Sequence, residues 1–135
     1  TKYDRDIADE TVKWLKNKAP SLKAKPWALY VGFVAPHFPL IAPPQFYDMY
    51  PEDAVPWPNM YDKAERPQHP FIDAMRKSQC FDEAFDPAMV RRAITAYFGL
   101  TSFMDDNVGK ILRALEETGL MENTRVVYST DHGDN

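Results

Sequence analysis

Cysteine occurs only once in the 135 residues, at Cys80, so an internal disulfide is excluded and the compartment stays open. Glycine is scarce, 5 residues against 12 prolines. Most of those prolines fall between Pro36 and Pro87, which predicts an irregular rather than helical middle. There is no run of lysine and arginine, and the formal net charge is −4. That balance argues against nucleic acid or an anionic membrane surface as partner, so an anionic substrate would have to be met by a local cation. No apolar stretch approaches the ~18 residues of a membrane-spanning helix, and the N-terminus has no signal-peptide pattern. The chain opens without methionine in helix-like sequence and stops two residues past a glycine turn, which reads as a piece of something longer.

What is present suits a globular domain. Hydrophobic residues make up 44% of the chain, enough to bury a core at this length. Ile7, Thr11, Trp14 and Leu15 recur at helical spacing. Asp6, Asp9 and Glu10 lie near the start of that helix and Lys13, Lys16 and Lys18 toward its end, the order that complements a helix dipole; Pro20 stops it. Residues 27–34 form a nearly continuous apolar run, predicting a buried strand covered on both faces. From 40 to 85 the chain is rich in proline and aromatics, with short helices expected near 44–50 and 71–77; long irregular segments of this kind are usually lids, binding loops or insertions. Trp57, Tyr61 and His69 in this loop could face a site, or simply pack the loop down.

Asp86 followed by Pro87 is an N-cap with proline at the first helical position. Val90, Ile94, Tyr97, Met104, Val108, Ile111 and Leu115 then keep one apolar face inward, predicting a helix over 87–118 closed by Gly119, with Leu120 after it. Gly99 and Gly109 would let it bend. A second short apolar run at 125–129 predicts another strand. Helix, strand, loop, long helix, strand is an α/β order, in which helices pack on a sheet.

The densest chemistry follows that last run, in Ser129-Thr130-Asp131-His132-Gly133-Asp134-Asn135. Ligands gather beyond the carboxyl ends of strands in open α/β sheets, so Asp131 and His132 are candidate metal ligands. Adjacent residues on a strand point to opposite faces, so both reach one ion only if the chain bends, which Gly133 would permit. The plainer alternative is that Asp131 caps a turn and His132 is a solvated loop residue. An EF-hand is excluded, because no Asp or Asn stands at the third loop position and no bidentate Glu follows. His37, in Pro36-His37-Phe38-Pro39, similarly follows the first strand run. If the two strands are parallel neighbours, His37, Asp131 and His132 meet at one sheet edge; otherwise His37 is a structural histidine in a proline-rich turn.

These residues carry a resemblance. Lys25-Pro26-Trp27 through Tyr30-Val31-Gly32-Phe33, followed by Pro36-His37-Phe38-Pro39 and Pro43-Pro44-Gln45-Phe46-Tyr47, resembles the middle of the sulfatases of the alkaline phosphatase superfamily. So do Arg91-Arg92 through Tyr97, Asp105, Val108-Gly109-Lys110-Ile111-Leu112, Leu115 and Gly119. Most specific is Asn123-Thr124-Arg125-Val126-Val127 leading into Ser129-Thr130-Asp131-His132-Gly133-Asp134. The blocks occur in family order and are weakest over about 60–85.

The resemblance implies that 1–135 is the central part of a sulfatase catalytic domain, with an irregular loop region at about 36–86. The implied fold is α/β, a fragment of an alkaline-phosphatase-like αβα sandwich with a largely parallel central sheet. It further implies that Asp131 and His132 help bind a divalent metal. Many sulfatases carry Asn at the position of His132, whereas choline-sulfatase-like and phosphonate-monoesterase-like members are similar to this chain in having His. Ca²⁺ is the metal expected from the family, and the imidazole makes Mn²⁺ its rival. His37 matches the residue that contacts the ester and assists the leaving oxygen.

The family nucleophile, a formylglycine made within Cys/Ser-x-Pro/Ala-x-Arg, is expected outside this chain together with further acidic ligands. Cys80 is followed by Phe81-Asp82-Glu83-Ala84 and is assigned a structural or incidental role. A lysine expected soon after the Asp-His-Gly turn would fall beyond Asn135. The implied reaction is hydrolysis of a small-molecule sulfate monoester by the parent enzyme, the rest of the sulfatase chain being this segment's partner and the segment alone being inactive. The alternatives are phosphonate monoester or phosphodiester hydrolysis, or a non-catalytic fragment serving as a binding module.

Overall fold

The computed structural model describes residues 2–22, 25–79 and 86–133. Cys80 lies outside them. Four α-helices are present among the described residues: α1 (Lys2–Asn17), α2 (Pro44–Tyr47), α3 (Pro70–Ser78) and α4 (Pro87–Glu117). The chain divides into two compact units, Thr1–Ala35 with Phe103–Asn135, and Pro36–Ser102; α4 contributes residues to both.

In the first unit the buried stripe of α1 is Asp4, Ala8, Thr11 and Leu15, repeating at the four- and three-residue steps that keep one helix face inward. Ile7 and Trp14, expected on that face, flank it and are half-buried. Leu15 and Ala19 pack with Ala114 and Leu115 of α4, while Trp14, Trp27, Ile111 and Leu120 close over the cluster. Burying a leucine this completely contributes about 2 kcal/mol. The Trp14 and Trp27 rings meet edge to face at 5.2 Å and 80°, tying residue 27 to α1. At the rim, Lys16 Nζ lies 2.7 Å from Glu117 Oε2, and this hydrogen bond draws the Glu117 carboxyl below its usual range. Both side chains are solvated, so the pair adds little to stability.

The ends of α4 follow the sequence closely. Asp86 Oδ1 accepts the Met89 N–H at 2.8 Å, the expected N-cap. At the other end Gly119 takes φ +67°, its N–H donating to Glu116 O and that of Leu120 to Leu115 O. This paired closure requires a left-handed residue, which glycine adopts without a Cβ penalty. α1 likewise ends at Asn17 and passes into a 3₁₀ turn at Ala19–Leu22 that contains Pro20.

In the second unit, aromatic and hydroxyl contacts hold the proline-rich segment. Tyr47 Oη donates to Glu52 Oε1 at 2.7 Å, which raises the Tyr47 pKa. Tyr50 Oη and Ser102 Oγ are 2.6 Å apart, and the Tyr50 ring meets Phe98 at 5.4 Å. Trp57 sits edge-on to Tyr61 at 4.8 Å with the Arg91 guanidinium over its indole at 5.1 Å. His69 caps α3, its Nδ1 accepting the Phe71 N–H. Trp57, Tyr61 and His69 are therefore occupied in holding the loop. Gly99 lies within α4, which runs unbroken from Pro87 to Glu117. A Cβ at Gly99 would lie 3.1 Å from the backbone of Phe46 and 3.0 Å from Ala42 Cβ, so the missing side chain makes room for the segment entering α2.

The sheet expected from the sequence is not formed by the described residues. Neither 27–34 nor 125–129 is helical, but neither carries a strand ladder. Nor are they buried as expected: Tyr30 is 92% exposed and Val127 80% exposed. A strand is a paired object, since its backbone N–H and C=O groups need a neighbour and its apolar faces need cover. Apolar, β-branched composition supplies the propensity and not the partner.

Two substitutions separate the roles of the α4 glycines. Gly99→Ala should destabilise the full-length protein by about 1–3 kcal/mol, because backbone rather than a mobile side-chain tip stands in the way. Gly109→Ala meets only the guanidinium end of Arg113 at 3.2 Å and should be neutral or stabilising by up to ~1 kcal/mol from helix propensity. Thr95 Oγ1 is buried without a hydrogen-bond partner among the described residues, so Thr95→Val should leave stability unchanged or raise it by up to ~1 kcal/mol. Thermal unfolding of the three variants checks all three outcomes.

Candidate metal and leaving-group site

The segment after residue 129 makes a turn out of its own side chains. Thr130 Oγ1 donates to His132 O at 2.7 Å, and Asp131 Oδ1 accepts the His132 N–H at 3.0 Å. The bend centres on Asp131. Gly133, expected to supply it, has no left-handed φ, and a Cβ there would meet nothing within 4 Å. Hydrogen bonds made by the turn's own Thr130 and Asp131 side chains thus do the work assigned to glycine.

That turn surrounds both side chains with backbone partners. The hydrogen bond from the His132 backbone, then that from Asp131's own backbone, then the His132 charge hold the Asp131 carboxyl below its usual range. His132 Nδ1 is 2.9 Å from the Gly133 carbonyl oxygen, a contact that requires a proton on Nδ1. In the neutral ring Nε2 then carries the lone pair, and it lies 3.7 Å from Asp131 Oδ2. A backbone carbonyl on one ring nitrogen with a donor lone pair on the other is the usual arrangement of a metal-binding histidine. A carboxylate and an imidazole brought side by side on an exposed turn fit part of a divalent-metal shell. They do not complete one, as no group of three or more His, Cys, Asp or Glu able to hold a metal occurs among the described residues.

His37 belongs to the second unit. Its ring stacks on Phe38 with centroids 4.3 Å apart and planes at 29°, and Nδ1 lies 2.7 Å from Phe38 O. The proton is again placed on Nδ1, so Nε2 is the nitrogen left for a ligand. The Ile41 N–H donating to Pro39 O at 2.8 Å compacts the rest of the loop.

One buried polar residue was missed from the sequence. Asp4, only 1% exposed, accepts the Val34 N–H on Oδ1 at 2.6 Å. The helical stripe read from Ile7 reaches it when extended a turn toward the N-terminus, but a charged residue there reads as solvated until its partner is known.

The sulfatase family model matches residues 1–135. The chain is 32% identical over 128 residues to an arylsulfatase of Clostridium perfringens, covering 95% of this chain and 26% of that protein. It is 31% identical over 122 residues to the multifunctional alkaline phosphatase superfamily protein PehA of Trinickia caryophylli, covering 82% and 24%. A choline-sulfatase of Rhizobium meliloti is 29% identical over 137 residues, covering 98% and 27%. No solved structure matches. The chain spans about a quarter of the length of these relatives. A family match running from the first residue to the last, through the Asp131-His132-Gly133 turn, establishes that the chain belongs to the sulfatase family of the alkaline phosphatase superfamily.

Proposed function

We propose that this chain is the central part of the catalytic domain of an enzyme that hydrolyses sulfate monoesters, and that Asp131, His132 and His37 serve one site. The observation that carries the reading is the Asp131–His132 pair, a carboxylate and an imidazole lone pair preset by their own turn within a sulfatase match. In the complete α/β domain, 27–34 and 125–129 are strands of a largely parallel sheet, and the turns after them share its carboxyl edge. The exposure of Tyr30 and Val127 supports this, since those surfaces need neighbours that the rest of the sulfatase chain would supply.

Asp131 and His132 would hold a divalent metal, Ca²⁺ by family habit, with Mn²⁺ as its rival because of the imidazole. Such an ion neutralises charge on the non-bridging oxygens of the ester. The nucleophile, a formylglycine by family habit, lies outside these residues. His37 stabilises the departing alcohol. With Nδ1 engaged by Phe38 O, a proton reaches the leaving oxygen only from Nε2 of the doubly protonated ring. The Phe38 carbonyl and the stacked ring hold that nitrogen in place.

A second reading, hydrolysis of phosphonate monoesters or phosphodiesters, is favoured by the similarity to the multifunctional PehA and by histidine at position 132. Side-by-side turnover of an aryl sulfate and an aryl phosphodiester by the full-length protein decides between them, faster sulfate turnover being expected.

In the full-length enzyme Asp131→Ala should lose metal and activity together. His37→Ala should retain metal while kcat falls about 10²–10⁴-fold, the usual size of a proton-transfer contribution. Metal analysis and steady-state kinetics on the same preparations check this. Full metal content in Asp131→Ala would remove that residue from the site.

A further inference from the structure

The three histidines of the chain do not use Nδ1 alike. His37 and His132 set it against carbonyl oxygens, of Phe38 and Gly133, where it carries a proton in the neutral ring and in the charged ring. Charging either ring adds the new proton at Nε2 and leaves that contact intact. His69 is the opposite case. Its Nδ1 accepts the Phe71 N–H at 3.2 Å, so Nδ1 must be bare and the ring neutral.

That bond is the N-cap of α3. His69 has the extended backbone of a cap, φ −153° and ψ 136°, and Pro70 opens the helix after it. Ser, Thr, Asp and Asn, the common caps, keep one charge state between about pH 5 and pH 8, where histidine changes its own. A proton on Nδ1 removes the acceptor, turns a second donor toward the Phe71 N–H, and places positive charge at the helix end whose dipole is already positive. All three effects oppose the capped helix.

Little else keeps the first turn of α3 in place. The helix has 9 residues, fewer than the about 12–15 at which an isolated helix is even marginal, and none of them is buried. Phe71 and Met75, one turn apart, are exposed. The other ties do not involve the cap: Arg76 Nη2 donates to Pro67 O at 3.1 Å and Nη1 to Asp73 Oδ1 at 3.3 Å. Charged groups around the cap are Asp73, Arg76 and Lys77 on α3 and, on the segment leading into it, Asp62, Lys63, Glu65 and Arg66. The carboxylates among them are engaged, Asp73 by Arg76 and the pair Asp62 and Glu65 by their own reciprocal cap over Lys63–Glu65. His69 has no ion pair among the described residues, so nothing there holds a charged ring in the capping position.

We infer that His69 is an acid-released latch on α3: on gaining a proton it lets go of the Phe71 amide and frees the first turn of the helix. The latched helix binds one proton fewer than the released one, so falling pH favours release. α3 is therefore held at the alkaline end of histidine's range, about pH 5–8, and loosened at the acid end.

The test is hydrogen exchange of the full-length protein at about pH 8 and about pH 5, the two ends of that range. Peptides covering 70–78 are compared with a control from α4 at 103–117, after correction for the intrinsic effect of pH on exchange. Protection of 70–78 should fall about fivefold at the lower pH, the usual worth of an N-cap, while 103–117 keeps its protection. His69→Asp caps with a carboxylate that is ionised at both pH values and should keep 70–78 protected at both. His69→Ala should be as weakly protected at the higher pH as the unsubstituted protein is at the lower. Equal protection of 70–78 at the two pH values, an acid loss shared equally by 103–117, the same acid loss in His69→Asp, or full protection in His69→Ala would each overturn the inference.

Discussion

A carboxylate withdrawn from water has to be answered by a donor, and in this chain the answer joins two segments 30 residues apart. Asp4 on α1 takes the amide of Val34, so the apolar run that ends there is tied to the helix packed on α4. The edge-to-face pair of Trp14 and Trp27 ties the other end of the same run to the same helix. The run is thus held at both ends while Tyr30, between them, stays open to solvent. Hydrophobic burial packs α1 on α4, and the Asp4–Val34 hydrogen bond ties the end of the run to α1.

The two chemistry-bearing turns use a common device. His37 and His132 each place Nδ1 against a backbone carbonyl, of Phe38 and Gly133 respectively. A ring so held presents Nε2. In His132 that nitrogen lies 3.7 Å from Asp131 Oδ2.

The proline-rich part shows how a segment without regular structure is kept in order. Tyr47 with Glu52, Tyr50 with Ser102 and Phe98, and Arg91 over Trp57 are side-chain contacts to fixed points, several of them on α4. Gly99 belongs to the same economy: α4 gives up a side chain so that the backbone at Phe46 can approach. A glycine inside a helix is unfavourable by about 1 kcal/mol relative to alanine, and the close approach is what retains it.

Helix ends, the turn at Asp131 and the family were legible in the sequence, because each depends on residues a few positions apart. Asp86 and Pro87 start α4, Gly119 ends it, and Asp131-His132-Gly133 marks a turn. Contacts distant in sequence could not be read. The bend at Asp131 rather than Gly133, the space left at Gly99, the loop-holding roles of Trp57 and His69, and the burial of Asp4 all depend on which atom faces which. The apolar runs at 27–34 and 125–129 mark the limit: local composition gives a segment the propensity to be a strand, but only a neighbour to pair its backbone and cover its faces makes it one.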